Sequence, residues 1–181
     1  MKNDQFINWF GSMVSRMSEN SVYLPSVLIA QAVLETSYGK SKLSADHHNY
    51  FGIKAGSTWK GETVNMSTGE VFNGQSVIIQ DNFRSYLNPE QSIKDRINWM
   101  KDEDLYKQVE LNHTAEDQAR AIQQAGYATD PNYSNKIINL IDRYDLKQFD
   151  KNRDNMKNLS IAISILLITA AALTMYKAIK Y

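Results

Sequence analysis

The 181-residue sequence contains no cysteine, three prolines and three histidines. Without cysteine there is no disulfide, no thiolate metal site, no iron–sulfur cluster and no thiol nucleophile, and nothing marks the redox compartment. Two of the histidines, His47 and His48, are adjacent in the chain. Adjacent side chains diverge in regular structure, so with His113 as the only other histidine no metal site is expected. An excess of one charge is missing too: 20 Lys+Arg stand against 20 Asp+Glu. A near-neutral chain without a basic block excludes nucleic-acid binding as its main activity. Gly52, Gly56 and Gly61 lack the spacing of a phosphate loop, and Ser26, Ser41 and Ser44 lack a nucleophile-elbow context. No organic cofactor is implied. There is no internal repeat and no low-complexity stretch.

One long apolar run is present. From Asn158 to Tyr176 there are 19 residues without a charge, bounded by Lys157 and Lys177. As a helix rising about 1.5 Å per residue the run spans roughly 28 Å, close to the thickness of a bilayer core. Tyr176 and the flanking lysines suit the two interfaces. Every face of this helix is apolar, which favours a transmembrane helix over a core helix. The N-terminus reads differently. Phe6, Trp9, Phe10, Met13, Val14 and Met17 form a helical stripe, not the continuous apolar run of a signal peptide. The expected division is a body over 1–145, a charged connector over 146–157, the span 158–176 and a short basic tail 177–181.

Within the body the stripe predicts an amphipathic helix over about 4–19. A second helix begins at Pro25, runs through Val27-Leu28-Ile29-Ala30-Gln31-Ala32-Val33-Leu34-Glu35 and stops near Gly39. It is apolar nearly all round and so reads as the buried central helix. Residues 40–61 read as irregular. Asn73-Gly74, flanked by β-type residues, predicts a hairpin with a two-residue type I′ turn. That register pairs Phe72 with Gln75, Glu70 with Val77, Thr68 with Ile79 and Val64 with Phe83. Helices are then predicted from Asn88-Pro89-Glu90-Gln91, from Thr114-Ala115-Glu116-Asp117 up to Gly126, and from Asp130-Pro131. The fold class is α+β, mainly helical, with one β-hairpin inserted after the second helix.

Two carboxyls stand out. Glu35 lies in the last turn of the most apolar helix. Apolar neighbours and the negative end of the helix dipole both raise a carboxyl pKa there, as a general acid requires. The alternative is an ordinary acidic side chain pointing to solvent. Glu70 shares a mostly apolar hairpin face, so it either faces a cleft or, if one bulge shifts the register, sits in water. Two carboxyls, one on a helix end and one on a hairpin, suit glycoside hydrolysis. Tyr38, Tyr50, Phe51, Trp59, Tyr86, Tyr127 and Tyr133 could stack on sugar faces, although core filling accounts for most of the seven.

Four ordered motifs give these residues a context. They are Ala30-Gln31-Ala32-Val33-Leu34-Glu35-Thr36-Ser37-Tyr38-Gly39; Asn49-Tyr50-Phe51-Gly52-Ile53-Lys54; Trp59-Lys60-Gly61 followed by Thr68-Gly69-Glu70; and Gly126-Tyr127-Ala128-Thr129-Asp130-Pro131-Asn132-Tyr133. Phe83-Arg84-Ser85-Tyr86 fits as well. The sequence over about 4–145 resembles the cell-wall N-acetylglucosaminidases of glycoside hydrolase family 73. The resemblance implies a lysozyme-like fold and cleavage of the β-1,4 bond between N-acetylglucosamine and N-acetylmuramic acid in peptidoglycan. It implies Glu35 as general acid and Glu70 as the second, hairpin glutamate. It implies Tyr127 and Tyr133 as cleft tyrosines, with Asn49, Phe51 and Trp59 as further expected substrate contacts. The transmembrane helix is not part of that pattern. The rivals are a lytic transglycosylase or muramidase on the same fold, and a non-catalytic wall-binding or virion structural protein.

The expected partners are peptidoglycan glycan strands and, through 158–176, a lipid bilayer. Lys147, Lys151, Arg153 and Lys157 precede the span and Lys177 and Lys180 follow it. That bias places the body on the cytoplasmic side, away from the wall. Two locations reconcile charge and substrate. One is ordinary export to the bacterial cell envelope against a weak bias. The other is the internal membrane of a phage virion, where capsid or envelope proteins would be neighbours.

Overall fold

Apolar residues three and four apart build the first helix, α1 (Asn3–Met17), which buries Phe6, Ile7, Phe10, Met13 and Val14. The computed structural model describes residues 1–72, 75–102, 109, 114–151, 154, 159, 161–166 and 168–169, the side chains of 70–72, 75–76 and 99–102 excepted. The second helix, α2 (Pro25–Thr36), is buried from Pro25 through Val33 and is the central element, as its all-round apolarity predicts. It ends three residues before Gly39, because Ser37 and Tyr38 already adopt left-handed backbone, with φ of 50° and 63°. Gly39 continues the turn at φ 71° beneath the Phe6 ring, where an added Cβ would lie 2.6 Å from a ring carbon.

The region expected to be irregular contains a short helix, α3 (Lys42–His47), started by Ser41, whose hydroxyl accepts from the Ser44 N–H. Six residues are too few for a periodic signal, which explains why pattern reading passes over it. The hairpin strands β1 (Thr63–Phe72) and β2 (Gln75–Arg84) pair antiparallel in the expected register, Glu70 opposite Val77 and Val64 opposite Phe83. The Asn73-Gly74 turn itself lies outside the described residues, as does His113. Three helices follow: α4 (Pro89–Asp102), α5 (Ala115–Gln124) and α6 (Tyr133–Arg143). At the start of α4 the Asn88 carboxamide accepts from the Gln91 N–H at 3.0 Å, and Thr114 caps α5 in the same way. α6 begins two residues after Pro131, where Asp130 folds back to accept the Asn132 N–H at 2.9 Å. Ile93 and Ile97, Ala119 and Ile122, and Ile137 and Ile141 close the core around α2.

The body does not stop at residue 145. Leu146 and Phe149, assigned above to a charged connector, are 0% and 5% exposed. The Phe149 ring occupies the space a side chain at Gly11 would need, and Asp150 accepts from both the backbone N–H (2.8 Å) and the hydroxyl (2.7 Å) of Ser26. Leu24 offers no side-chain cap to α2, so Asp150 satisfies that helix start from the far end of the body. Charge density concealed this packing, since Lys147, Lys151 and Arg153 dominate the local composition.

Among the described residues no helix is long and apolar enough to cross a membrane. The expected span 158–176 lies largely outside them. Its described part, 159, 161–166 and 168–169, is helical and exposed.

Candidate active site

Glu35 occupies the last turn of α2, and the left-handed residues after it turn the chain away from the carboxyl. Its side chain reaches solvent on one side, while protein crowds its other sides. That crowding raises its pKa above the ordinary value of 4.5, and two weaker effects oppose the rise: a hydrogen bond from Tyr133 and the positive charge of Arg96. The Tyr133 hydroxyl donates to Glu35 Oε1 at 3.2 Å. Gln31, one turn earlier on α2, donates its Nε2 to the same hydroxyl oxygen at 3.0 Å. Arg96 of α4 donates Nη2 to the Gln31 carbonyl at 3.1 Å. Gln31 and Arg96 are both fully buried and Tyr133 is 4% exposed, so the chain of bonds lies inside the protein and surfaces only at Glu35.

Tyr127 completes the wall. Its ring lies 5.5 Å from that of Tyr133 and its face takes the Arg96 guanidinium at 4.3 Å. Its hydroxyl donates to the Phe51 carbonyl at 3.0 Å, which ties the tyrosine loop to the loop after α3. In that loop Gly52 has φ +64°, and a Cβ there would sit 3.8 Å from Glu35 Oε2. A glycine both permits the backbone turn and leaves the carboxyl unobstructed.

Of the expected site residues, Glu35, Tyr127 and Tyr133 come together. Asn49 and Phe51 do not present side chains to solvent, being 0% and 2% exposed. The Asn49 amide donates to the carbonyls of Ile53 (2.9 Å) and Arg84 (2.8 Å), and its oxygen accepts from the Ile53 N–H at 3.1 Å. Asn49 is thus a bracket that holds its loop to the hairpin base, and the Phe51 side chain packs in the core. Trp59 is also used structurally. Its indole N–H donates to the Glu62 carbonyl at 3.0 Å, Arg84 sits 4.5 Å over its ring, and Gly61 packs so closely that a Cβ would lie 2.4 Å from a ring carbon. Tyr50 is 5% exposed in an aromatic cluster with Phe10, and Tyr38 pairs with Tyr144, hydroxyl to hydroxyl, at 2.7 Å. Glu70 lies on β1 as expected, with its side chain outside the described residues.

Two members of the site escaped sequence reading, Gln31 and Arg96. Both carry a signal. Gln31 interrupts the apolar series Val27–Val33, and Arg96 falls between Ile93 and Ile97 on the inward face of α4. A polar group in an apolar stripe is the informative exception.

A second polar cluster lies on the other side of α4. Arg84 Nη1 and the Tyr86 hydroxyl both donate to Asp95 Oδ2, at 2.7 and 2.6 Å. Burial and that carboxylate push the Tyr86 hydroxyl pKa far up. A shallow recess of about 220 Å³ opens here between Trp59, Tyr86, Gln91, Lys94, Asp95 and Asn98. Glu35 does not line it, so this recess is separate from the candidate active site. Among the described residues no group of His, Asp and Glu could hold a metal ion.

An acid with a raised pKa at a helix end, flanked by two tyrosines, is an arrangement that suits a glycoside hydrolase. The comparisons agree. Residues 11–146 match the Glucosaminidase family, described as mannosyl-glycoprotein endo-beta-N-acetylglucosaminidase. The chain is 35% identical over 167 residues to the exo-glucosaminidase LytG of Bacillus subtilis, covering 88% of this chain and 58% of LytG. It is 32% identical over 156 residues to the peptidoglycan hydrolase FlgJ of Salmonella typhimurium, covering 80% and 49%. The catalytic domain of the autolysin Auto from Listeria monocytogenes superposes with a TM-score of 0.72 at 31% identity, over 83% of this chain and 89% of that one. The chain spans about half the length of the curated relatives it matches. It belongs to the glucosaminidase family and carries a glycoside hydrolase domain with a mainly helical, lysozyme-like α+β fold.

Proposed function

We propose that this chain hydrolyses the β-1,4 bond between N-acetylglucosamine and N-acetylmuramic acid in peptidoglycan, with Glu35 as the general acid. The observation that carries this reading is the Glu35 carboxyl itself: at the end of the central helix, solvent-reachable, bonded by Tyr133, and with its pKa raised by crowding. In the reaction Glu35 gives its proton to the glycosidic oxygen as the C1–O bond breaks and positive charge develops at C1. Glu70, on the hairpin, is the carboxylate that stabilises that charge or activates the attacking water. The names of LytG and FlgJ support the bond type and the substrate.

The reading includes a membrane anchor at 158–176, in the cell envelope or in a virion membrane. Its support is the charge-free run and the exposure of Leu159, Ile161, Ile163, Ile165, Leu166 and Ile168, each at least 50% exposed. These described positions point to several sides of the helix, and each is exposed.

Product analysis tests the reaction. Incubation of the full chain with purified peptidoglycan should release fragments with N-acetylglucosamine at the new reducing end. N-acetylmuramic acid ends would instead mark a muramidase, anhydromuramic ends a lytic transglycosylase, and no release a non-catalytic protein. Flotation with liposomes tests the anchor: the full chain should rise with the vesicles, a chain ending at Lys157 should not, and equal behaviour of the two would remove the anchor.

A further inference from the structure

The buried half of the Glu35 cluster has no role in the reaction outlined above. Among the described residues Arg96 is the largest side chain that is fully buried, and it lies between Ile93 and Ile97 on the inward face of α4. Burying a guanidinium is costly, and a stability role alone would be served as well by a leucine or methionine. What the arginine touches is specific. Its Nη2 donates to the Gln31 carbonyl, the Gln31 amide donates to the Tyr133 hydroxyl oxygen, and that hydroxyl donates to Glu35. Its guanidinium face lies 4.3 Å from the centre of the Tyr127 ring and 5.9 Å from that of Phe51. One side chain therefore fixes the Gln31 amide in the orientation that leaves the Tyr133 proton pointing at Glu35, and holds the second tyrosine in place.

We propose that Arg96 is a positioning residue for Glu35, acting through Gln31 and Tyr133. The orientation follows from the donor count. Tyr133 has one proton. With Gln31 donating to its oxygen, that proton is left for the Glu35 carboxylate, and a bond donated to an oxygen strengthens the bond its own proton makes. Were the Gln31 amide turned over, its carbonyl would compete with Glu35 for the same proton. An arginine has donors and no acceptor, so it accepts only one of the two amide orientations. The positive charge adds a second effect, since it favours the ionised form of Glu35 through space. Among the described residues, the charged and titratable groups that bear on Glu35 are Tyr133 from α6 and Arg96 from α4, with Tyr127 beside Tyr133. The proposal rests on the reading of Glu35 as general acid.

The sign of the pH effect follows. Glu35 must hold its proton to act, so turnover falls as pH rises through its pKa. Arg96 draws that alkaline limb to lower pH, and removing the charge moves it higher.

The test uses the full chain on solubilised glycan strands, with kcat and KM measured across pH and folding followed by circular dichroism. Arg96→Met should lower kcat by up to about 100-fold, the scale of a misplaced catalytic group, with little change in KM. Its alkaline limb should move up. Arg96→Lys keeps the charge but not the planar fork, so the limb should return towards wild type while kcat stays low. Gln31→Leu removes the relay without touching the cation and should also lower kcat; it carries the test if Arg96→Met does not fold. A folded Arg96→Met with wild-type kcat and limb overturns the proposal, as does a folded Gln31→Leu with wild-type kcat. A raised KM with unchanged kcat would make Arg96 a binding residue and overturns it too. Glu35→Gln is the control: turnover surviving there defeats the general-acid reading itself. An inactive Glu35→Gln beside a wild-type-like Arg96→Met defeats only the positioning role.

Discussion

At Asp95 one carboxylate oxygen takes the Arg84 guanidinium at 2.7 Å and the Tyr86 hydroxyl at 2.6 Å. At Glu35 a tyrosine hydroxyl is again the donor, but at 3.2 Å, and the arginine stands one residue back with Gln31 between. Both clusters are built on α4 from the same three side-chain types. In the first, arginine and tyrosine converge directly on the acid, and the cluster braces the hairpin base through Trp59 and the Lys54 carbonyl. In the second, the acid keeps a single donor and an open side. Direct contact between arginine and carboxylate makes a strut, whereas an interposed amide leaves the acid open on one side.

Exchanging the losses should separate the two clusters most sharply. Glu35→Gln should reduce turnover by about 10²–10⁴-fold, the contribution of a general acid, while leaving the fold intact. Asp95→Ala should do the reverse. It strands a largely buried guanidinium and a hydroxyl, at a cost of about 2–3 kcal/mol, which lowers Tm by roughly 5–10 °C for a body of this size. Turnover per folded molecule should change far less. Peptidoglycan release and thermal unfolding on the same two variants decide this; an unstable Glu35→Gln or an inactive but stable Asp95→Ala would erase the contrast.

A smaller effect concerns pH. Glu35 has a raised folded-state pKa, so the folded protein holds a proton that the unfolded chain has released. Stability attributable to Glu35 is therefore lost as pH rises from 4.5 through the raised value. Glu35→Gln escapes that loss. Its Tm should exceed wild type at neutral pH, and the difference should vanish below pH 4.5. Equal Tm values at both ends would mean the carboxyl is not strained by its surroundings.

Much of this contrast was legible before the structure. The central helix, the hairpin register and the starts of α4 and α5 follow from period, turn chemistry and capping residues, because each is set by neighbours in the chain. Glu35 is conspicuous for the same reason, an acid ending an apolar helix. What could not be read depends on distant partners. Asn49 reads as a loop residue, and only the fold shows that its amide ties the Ile53 and Arg84 carbonyls together. Trp59 reads as a sugar platform, and the fold adds Arg84 and Gly61 packed against its ring. Asp150 looks like part of a solvated connector until Ser26 of α2 is found against it. The family motifs single out Asn49 and Trp59 and leave their tasks open, since a motif records which residues recur and not which face water.

The central claim is that Glu35 is a carboxyl whose pKa its surroundings raise against the pull of Tyr133 and Arg96. Titration of the Glu35 side-chain carboxyl by carbon-13 NMR, in the wild type and in Tyr133→Phe, measures this directly. The wild-type midpoint should lie above the ordinary 4.5, because crowding outweighs the two opposing effects. Removing the Tyr133 donor should raise it further. A wild-type midpoint at or below 4.5, or a midpoint that falls in Tyr133→Phe, would contradict the account.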